Sequence, residues 1–325
     1  MPELPEVETI KRSLQKSIVG KKITGVQVLL VKQFQGKKEE VIGREILGIE
    51  RRGKVLIVAL GKKPDKEPAT QRAQKTSVPS TKFSAFGVAG KIFGTEVVAV
   101  PEGTEKVLLI HFKLTGQLVW VPKAGERVTL GHPIPFAGTE LPAKTTHVIF
   151  GIDGGRLFFN DLRQFGWIKV ISDLSNLSDL RRLGPEPFDK EFTEDYLKQI
   201  FSKSAKPIKL VLMDQEKIAG IGNIYANDSL WEAGIRPDKP AKQLSDLAIE
   251  QLRKAIIRVL EDGLKYGGSS AADEAYIRPD ATPGLYQEHF RVYQRDDQPC
   301  LRCGTRIQRV ELGGRGTFYC PKCQR

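Results

Sequence analysis

No cysteine precedes Cys300 in this chain of 325 residues. A disulfide framework through the body is thereby excluded, so the bulk of the fold must be held by burial alone. Acidic residues are also in short supply: 39 Asp and Glu face 51 Lys and Arg, a formal charge of +12 with a pI near 9.4. That imbalance points to a polyanionic partner, nucleic acid first, with a merely basic protein as the alternative. No apolar run reaches the roughly 18 residues of a spanning helix, and no charged-then-apolar leader opens the sequence. A cytoplasmic protein without a membrane partner is expected, and at this length two domains plus a small appendage.

The cysteines that exist are confined to the last 26 residues as Cys300-x2-Cys303-x16-Cys320-x2-Cys323. Two such pairs can surround one Zn²⁺ tetrahedrally with Zn–S near 2.3 Å, and four thiolates leave no open position, so the metal is expected to be structural. Two disulfides are the other use for four cysteines, disfavoured in a cytosolic setting. The residues between read as a hairpin: Thr305–Val310, a turn at Gly313-Gly314-Arg315-Gly316, then Thr317–Tyr319.

The first eight residues, Met1-Pro2-Glu3-Leu4-Pro5-Glu6-Val7-Glu8, admit two readings. A small second residue permits removal of Met1, leaving the secondary amine of Pro2 as the terminus. With a pKa of roughly 7.7–8, such an amine is partly neutral near pH 7 and can form an iminium with a sugar aldehyde carbon. Glu3 would then stand beside it as proton donor or acceptor. The other reading is local: acidic residues following proline at a helix start satisfy capping and dipole preferences.

Val7, Ile10, Leu14 and Ile18 repeat near 3.6 and predict a helix over Val7–Val19. The period then changes. Ile23–Val31, Glu45–Arg51, Val55–Leu60, Gly90–Val100, Val107–Phe112, Gln117–Val121, His147–Ile152, Arg156–Asn160 and Trp167–Ile171 are short, β-branched-rich and punctuated by Gly, Pro or Asp, as in a β-sandwich or barrel. Gly61–Lys82 is polar and reads as a flexible insertion. From Leu177 the pattern is helical, with Glu194–Ser202, Ile208–Met213, Ile224–Ala233 and Leu247–Tyr266. Met213–Tyr225 reads as helix, glycine turn, helix. Gly220 and Gly222 let backbone N–H groups approach a partner, and Asn223 can cap the next helix or bind a phosphate oxygen. Ordinary helix termination explains the same residues.

Several stretches coincide in order: PELPEVE at Pro2–Glu8, the Arg51-Arg52-Gly53-Lys54 turn, Leu114-Thr115-Gly116, the Asn160–Gly166 segment NDLRQFG, Leu183-Gly184-Pro185-Glu186-Pro187, GIGNIYA at Gly220–Ala226 and the terminal GGRGTFYCPKC. Through them the chain resembles the bacterial formamidopyrimidine-DNA glycosylase family along most of its length. The resemblance implies a bifunctional base-excision repair enzyme acting on damaged double-stranded DNA. It would remove oxidised purines such as 8-oxoguanine and formamidopyrimidines, then nick the strand by β/δ-elimination. It implies Pro2 as the nucleophile at C1′, Glu3 as the acid near the opening deoxyribose, and Lys54 as a helper contacting the damaged nucleotide. Arg315 matches an arginine that grips phosphate, and Glu6 a carboxylate that helps position the flipped nucleotide. Leu114, Arg163 and Phe165 match residues that fill the void left by an extruded base, with Arg163 facing the orphaned cytosine and Phe165 wedging between bases. Phosphate holding falls to Asn223, Lys209, Arg315 and Lys206, assisted by N–H groups of the Gly220–Gly222 turn, although a solvated face explains Lys206 nearly as well.

The chain departs from the family pattern in places. Leu114 stands where methionine is usual, Gln164 where a second arginine is common, and a histidine usual two positions before His147 is missing. The segment 267–284, which covers the extruded base in the family, is slightly longer than usual. These bear on substrate preference: an endonuclease VIII-like relative prefers oxidised pyrimidines, whereas Leu4–Glu8 and the Arg163/Phe165 loop favour purines. A non-catalytic DNA-damage-binding protein on the same scaffold is disfavoured by the joint presence of Pro2, Glu3, Glu6 and Lys54. The expected architecture is α+β and multidomain: an N-terminal β-sandwich with its leading helix (1–172), a helical domain with a helix-two-turn-helix motif (173–290) and a four-cysteine zinc-finger β-hairpin (291–325). A monomer with one structural Zn²⁺ and DNA in the cleft between these parts is expected.

Overall fold

Pro5 lies in the first turn of α1 (Leu4–Ile18), where a missing N–H leaves no helical bond unmade. Glu6 completes the turn by accepting the Glu3 N–H at 2.8 Å, so the local capping reading of these residues is correct as far as Glu6 is concerned. Val7, Ile10, Leu14 and Ile18 are all buried, as their spacing requires. This is a computed structural model, and it describes residues 1–62, 100–132, 135, 138–173, 177–269 and 284–325.

The strands are β1 (Ile23–Val28), β2 (Phe34–Gln35), β3 (Glu45–Arg52), β4 (Val55–Gly61), β5 (Thr104–His111), β6 (Gly116–Pro122), β7 (Val128–Gly131), β8 (Thr146–Ile152), β9 (Gly155–Asp161) and β10 (Trp167–Ile171). They form two five-stranded sheets, ordered β1-β8-β9-β6-β7 and β2-β10-β5-β4-β3. The β2–β10 pairing is parallel and the others antiparallel. Leu56, Val58 and Leu60 of β4 meet Leu108 and Ile110 of β5 and Phe150, Leu157 and Phe159 of the other sheet in the sandwich core, which α1 also enters. Val55 and Ile57 point the opposite way, onto Leu177 and Leu180. Burial on both faces explains why Val55–Leu60 is apolar throughout instead of alternating.

Two strands were not foreseen. β2 is two residues long and β7 four, too short for a period to register. The strand expected over Ile23–Val31 ends at Val28 because Val31–Gln33 winds into a 3₁₀ turn. Of the expected insertion Gly61–Lys82, Gly61 ends β4, and everything beyond Lys62 lies outside the described residues, as does the expected strand Gly90–Val100 apart from Val100.

The remainder comprises α2 (Ser178–Arg181), α3 (Glu194–Ser202), α4 (Ile208–Leu212), α5 (Asn223–Glu232), α6 (Asp246–Lys265) and the hairpin β11 (Gln308–Leu312)–β12 (Arg315–Tyr319). Thr193 and Ser245 cap α3 and α6 by accepting the N–H groups of Tyr196 and Ala248. Gly313 and Gly314 make the hairpin turn at φ +57° and +72°, a region that L side chains resist. One hydrophobic cluster runs from Phe192, Ile208, Ile224, Leu252 and Ile256 into Tyr286, Phe290, Tyr293, Ile307 and Phe318. The helices and the hairpin thus share a single core.

Candidate active site and nucleic-acid interface

Glu3 is 1% exposed, although it is the third residue of the chain. Its carboxylate accepts the N–H of Gly222 at 2.7 Å and that of Ile224 at 2.9 Å, at the positive N-terminal end of α5. A Cβ on Gly222 would fall 2.3 Å from Glu3 Cδ, so only glycine leaves room for the carboxylate. The same turn accepts the Leu4 N–H at Gly220 O (3.1 Å), while the Gly220 N–H goes to Gln215 Oε1 (3.0 Å). Two of the N–H groups that this turn was expected to lend to phosphate, those of Gly220 and Gly222, are therefore spent inside the protein. Asn223, the first residue of α5, is half-buried, with Asn227 Nδ2 donating to its carbonyl at 2.7 Å.

Glu6 lies behind Glu3. Besides the Glu3 N–H it accepts the Tyr225 hydroxyl at 2.7 Å and the Ser269 N–H at 2.9 Å. Burial pushes its carboxyl above the usual range, and these donors offset the rise only in part. Glu6 thereby ties α1 to α5 and to the residue that begins the segment toward 284. Neither Tyr225 nor Ser269 was singled out from sequence, though Tyr225 lies inside the GIGNIYA stretch.

Lys54 is buried in the turn between β3 and β4. That turn is pinned by Glu186, whose Oε1 accepts the Gly53 N–H at 2.6 Å while both its oxygens take Arg51 Nη1 at 2.9 Å. Arg51 also reaches Glu8 of α1 at 3.1 Å. His111, at the end of β5 opposite Val55, is a residue that sequence reasoning missed. Burial, then the charges of Lys113 and Lys54, pull its pKa down to about 3, so the imidazole is neutral. Its Nδ1 accepts the Lys113 N–H at 3.0 Å, which leaves Nε2 to carry the proton as a donor. The available signal was a histidine ending a strand whose register partner follows Lys54.

Leu114 and the Arg163–Phe165 loop are brought together by Asp161, which is fully buried. Its carboxylate accepts the Thr115 hydroxyl, the Gly166 N–H at 2.6 Å and Gln33 Nε2 at 2.7 Å, and Thr115 Oγ1 accepts the Arg163 N–H at 2.9 Å. Fixed at its base, this loop exposes Arg163 and Phe165, the latter by 57%, with the guanidinium 5.3 Å from the ring centroid. Phe165 is thus not a core residue.

Arg315 is exposed at the hairpin turn. Lys209, expected at a phosphate, is not on the surface: it is 0% exposed, and its ammonium donates to Gly316 O at 2.8 Å and Thr317 Oγ1 at 2.7 Å. Burial pulls its pKa down to about 7, with the Glu3 carboxylate opposing the fall and Arg315 adding to it. It is corrected to a buried tether between α4 and the start of β12. Lys206 is exposed in the loop before α4, as a solvated lysine would be.

The four cysteine sulfurs all lie within 4.8 Å of one another, with Cys300–Cys323 at 3.9 Å and Cys303–Cys320 at 3.5 Å. A disulfide would need about 2.05 Å, whereas the sulfurs of a tetrahedral zinc–thiolate unit lie about 3.8 Å apart. The donor set fits zinc. Among the described residues no helix is long and apolar enough to cross a membrane.

What this architecture defines as a class is a metal-stapled protein of sandwich, helices and hairpin, in which the start of the chain is buried against the N-terminus of α5. Residues 1–168 match the family model for the formamidopyrimidine-DNA glycosylase N-terminal domain, 183–275 that for the formamidopyrimidine-DNA glycosylase H2TH domain, and 297–325 that for the zinc finger found in FPG and IleRS. The formamidopyrimidine-DNA glycosylase of Pelotomaculum thermopropionicum is 35% identical over 333 residues, covering 100% of this chain and 99% of that protein. A Lactococcus lactis FPG mutant solved in complex with a Fapy-dG containing DNA aligns with a TM-score of 0.76 at 30% identity, with 100% of both chains covered. Wild-type Lactococcus lactis FPG (MutM), solved with an oxidized pyrimidine containing DNA, gives 0.74 at 31% identity, again with 100% of both covered. This chain belongs to the formamidopyrimidine-DNA glycosylase family. Cys300, Cys303, Cys320 and Cys323 hold its one structural zinc ion.

Proposed function

We propose that the protein excises oxidised purines from duplex DNA and then cleaves the strand at the resulting abasic site. Once Met1 is removed, the Pro2 nitrogen lone pair attacks C1′ of the extruded nucleotide, the bond to the base breaks, and the base leaves with a proton. Glu3 supplies the proton that opens the deoxyribose ring, giving an iminium between Pro2 and C1′. Loss of a C2′ proton expels the 3′ phosphate, and a second elimination expels the 5′ phosphate. Lys54 and the neutral His111 hold the nucleotide beside the amine, Glu6 positions it, and Arg315 neutralises the departing phosphate. Leu114, Arg163 and Phe165 fill the vacated stack, while Asn223 and Lys206 contact the backbone. In this reading the sandwich (1–172), the helical part (173–290) and the finger (291–325) enclose the DNA as one monomer. The observation that carries it is the burial of Glu3 against the N-terminus of α5: a carboxylate next to the chain terminus, held by the backbone N–H groups of Gly222, Ile224 and Tyr225.

The test is borohydride trapping on duplexes carrying 8-oxoguanine or an oxidised pyrimidine, followed by peptide mapping. An adduct at Pro2, strongest with 8-oxoguanine opposite cytosine, is expected. The Lactococcus lactis complex with oxidised pyrimidine favours a second, weaker substrate class, so a smaller adduct with that duplex is also expected. Tight binding with no adduct and no nicking would leave a non-catalytic damage-binding protein.

Two further outcomes belong to this reading. Arg163→Ala is expected to reduce discrimination among opposite bases by roughly 10-fold, the scale of one good hydrogen-bonded base contact, with little change in affinity for undamaged duplex. Unaltered selectivity in paired excision assays would count against the assigned role. Cys300→Ser is expected to release zinc and abolish tight DNA binding, while the sandwich melts at its usual temperature. Metal analysis alongside fluorescence anisotropy decides, and tight binding without metal would refute it.

A further inference from the structure

The zinc cluster is joined to the helix that holds Glu3. Cys300 Sγ accepts the Trp231 Nε1–H at 3.4 Å and the backbone N–H of Arg302 at 3.5 Å. Trp231 is buried in the last turn of α5. Arg302, inside the first cysteine pair, lays its guanidinium 3.9 Å from the Trp231 ring centroid. It donates to the carbonyls of Trp231 at 2.8 Å and Glu232 at 2.9 Å, and lies 3.3 Å from Glu232 Oε2. Those carbonyls belong to the last turn of α5, where the dipole is negative; the Trp231 carbonyl shares its lone pairs between Arg302 and the Gly234 N–H at 3.1 Å, and a guanidinium at this end is favoured by the dipole. It is favoured again by the face of the indole.

We propose that Trp231 and Arg302 form a latch that seats the first zinc knuckle on the C-terminal end of α5 and governs how tightly the metal is retained. The Trp231 and Arg302 N–H groups fix the orientation of the Cys300 sulfur, so the ligand is held in place for the metal and cannot swing away as readily. The Arg302 fork, held on two α5 carbonyls beside Glu232, makes the knuckle's seat rigid. The latch depends on the thiolates and on α5, not on which lesion the protein excises.

The zinc-loaded protein is mixed with excess chromophoric chelator and zinc release is timed. Arg302→Met, which keeps the stem but removes charge and donors, is expected to release zinc about 10-fold faster. Trp231→Phe, which keeps a ring under Arg302 but removes the N–H, is expected to accelerate release by a smaller factor. After cobalt substitution, Trp231→Phe is expected to move the thiolate-to-metal charge-transfer band to longer wavelength, a signature that loss of packing alone does not produce. If Arg302→Met does not fold, Arg302→Lys, which keeps the charge without the fork, is timed in its place and an intermediate rate is expected. Wild-type release rates in the Trp231 and Arg302 variants, or an unmoved band in Trp231→Phe, would overturn the proposal.

Discussion

Pro2→Leu is expected to lose strand nicking and borohydride trapping by about 10,000-fold, the scale on which removal of a covalent nucleophile acts. A bulky second residue retains Met1, so the α-amine moves one residue outward, by about 3.8 Å, from the position beside Glu3. A reacting pair separated by that distance is no longer within attack range. The control is lesion affinity, which should stay near that of the parent protein because the cations and the wedge loop are untouched. Lys209 makes the experiment discriminating, since burial draws its amine to about 7 and a neutral amine is a nucleophile in its own right. Its contacts with Gly316 and Thr317 keep it covered. An adduct that persists in Pro2→Leu and maps to Lys209 or Lys54 would transfer the nucleophile's role away from the N-terminus.

Gly222→Ala is expected to reduce base excision by about 100-fold, because displacement of a catalytic group by roughly an ångström carries that cost. The added methyl would lie 2.3 Å from Glu3 Cδ and 2.4 Å from Oε1. It cannot be accommodated without lengthening the hydrogen bonds from Gly222 and Ile224. Overpacking here should also lower stability, by about 1–3 kcal/mol. The loss is expected in kcat more than in KM, since of the groups assigned to DNA only Asn223 adjoins Gly222. Gly220→Ala is the comparison: its Cβ would meet Leu4, at 2.7 Å from Cδ1, and its φ of +94° adds strain, so stability should suffer more than chemistry. Single-turnover excision beside thermal melts separates the two, and a Gly222→Ala protein with parental turnover would remove the clamp from the mechanism.

The parts of this architecture that could be read in advance are those whose physics is local. A 3.6-residue apolar period located α1, helical patterns α3 to α6 and β-branched-rich runs the described sandwich strands except β2 and β7, while paired cysteines announced the metal because its ligands lie close together in sequence. The misreadings were non-local. Gly222 looked like a phosphate cradle because a free N–H invites an anion; the anion is the Glu3 carboxylate, 219 positions away. Lys209 looked like a surface cation at a helix start, and only the hairpin 107 positions later buries it. His111 lies in no motif and becomes a neutral donor through burial and neighbouring charges; Asp161 lies inside NDLRQFG, but its role as a hub rests on hydrogen bonds from Gln33, Thr115 and Gly166 that the stretch alone does not reveal.

The single core shared by the helices and the hairpin has a consequence for the order of events during synthesis. Tyr225 of α5 stacks on Tyr286, which touches Phe290, then Tyr293, then Phe318 of β12, with successive ring centroids 5.1–5.6 Å apart. The sandwich core needs only residues before Ile171 and can close while translation continues, but α5 lacks part of its packing until β12 has been made. Glu3 waits on α5. The earliest residues to leave the ribosome are thus among the last to reach their final surroundings, and a chain halted before the finger would carry Pro2 and Glu3 without the clamp that would make them a reactive centre.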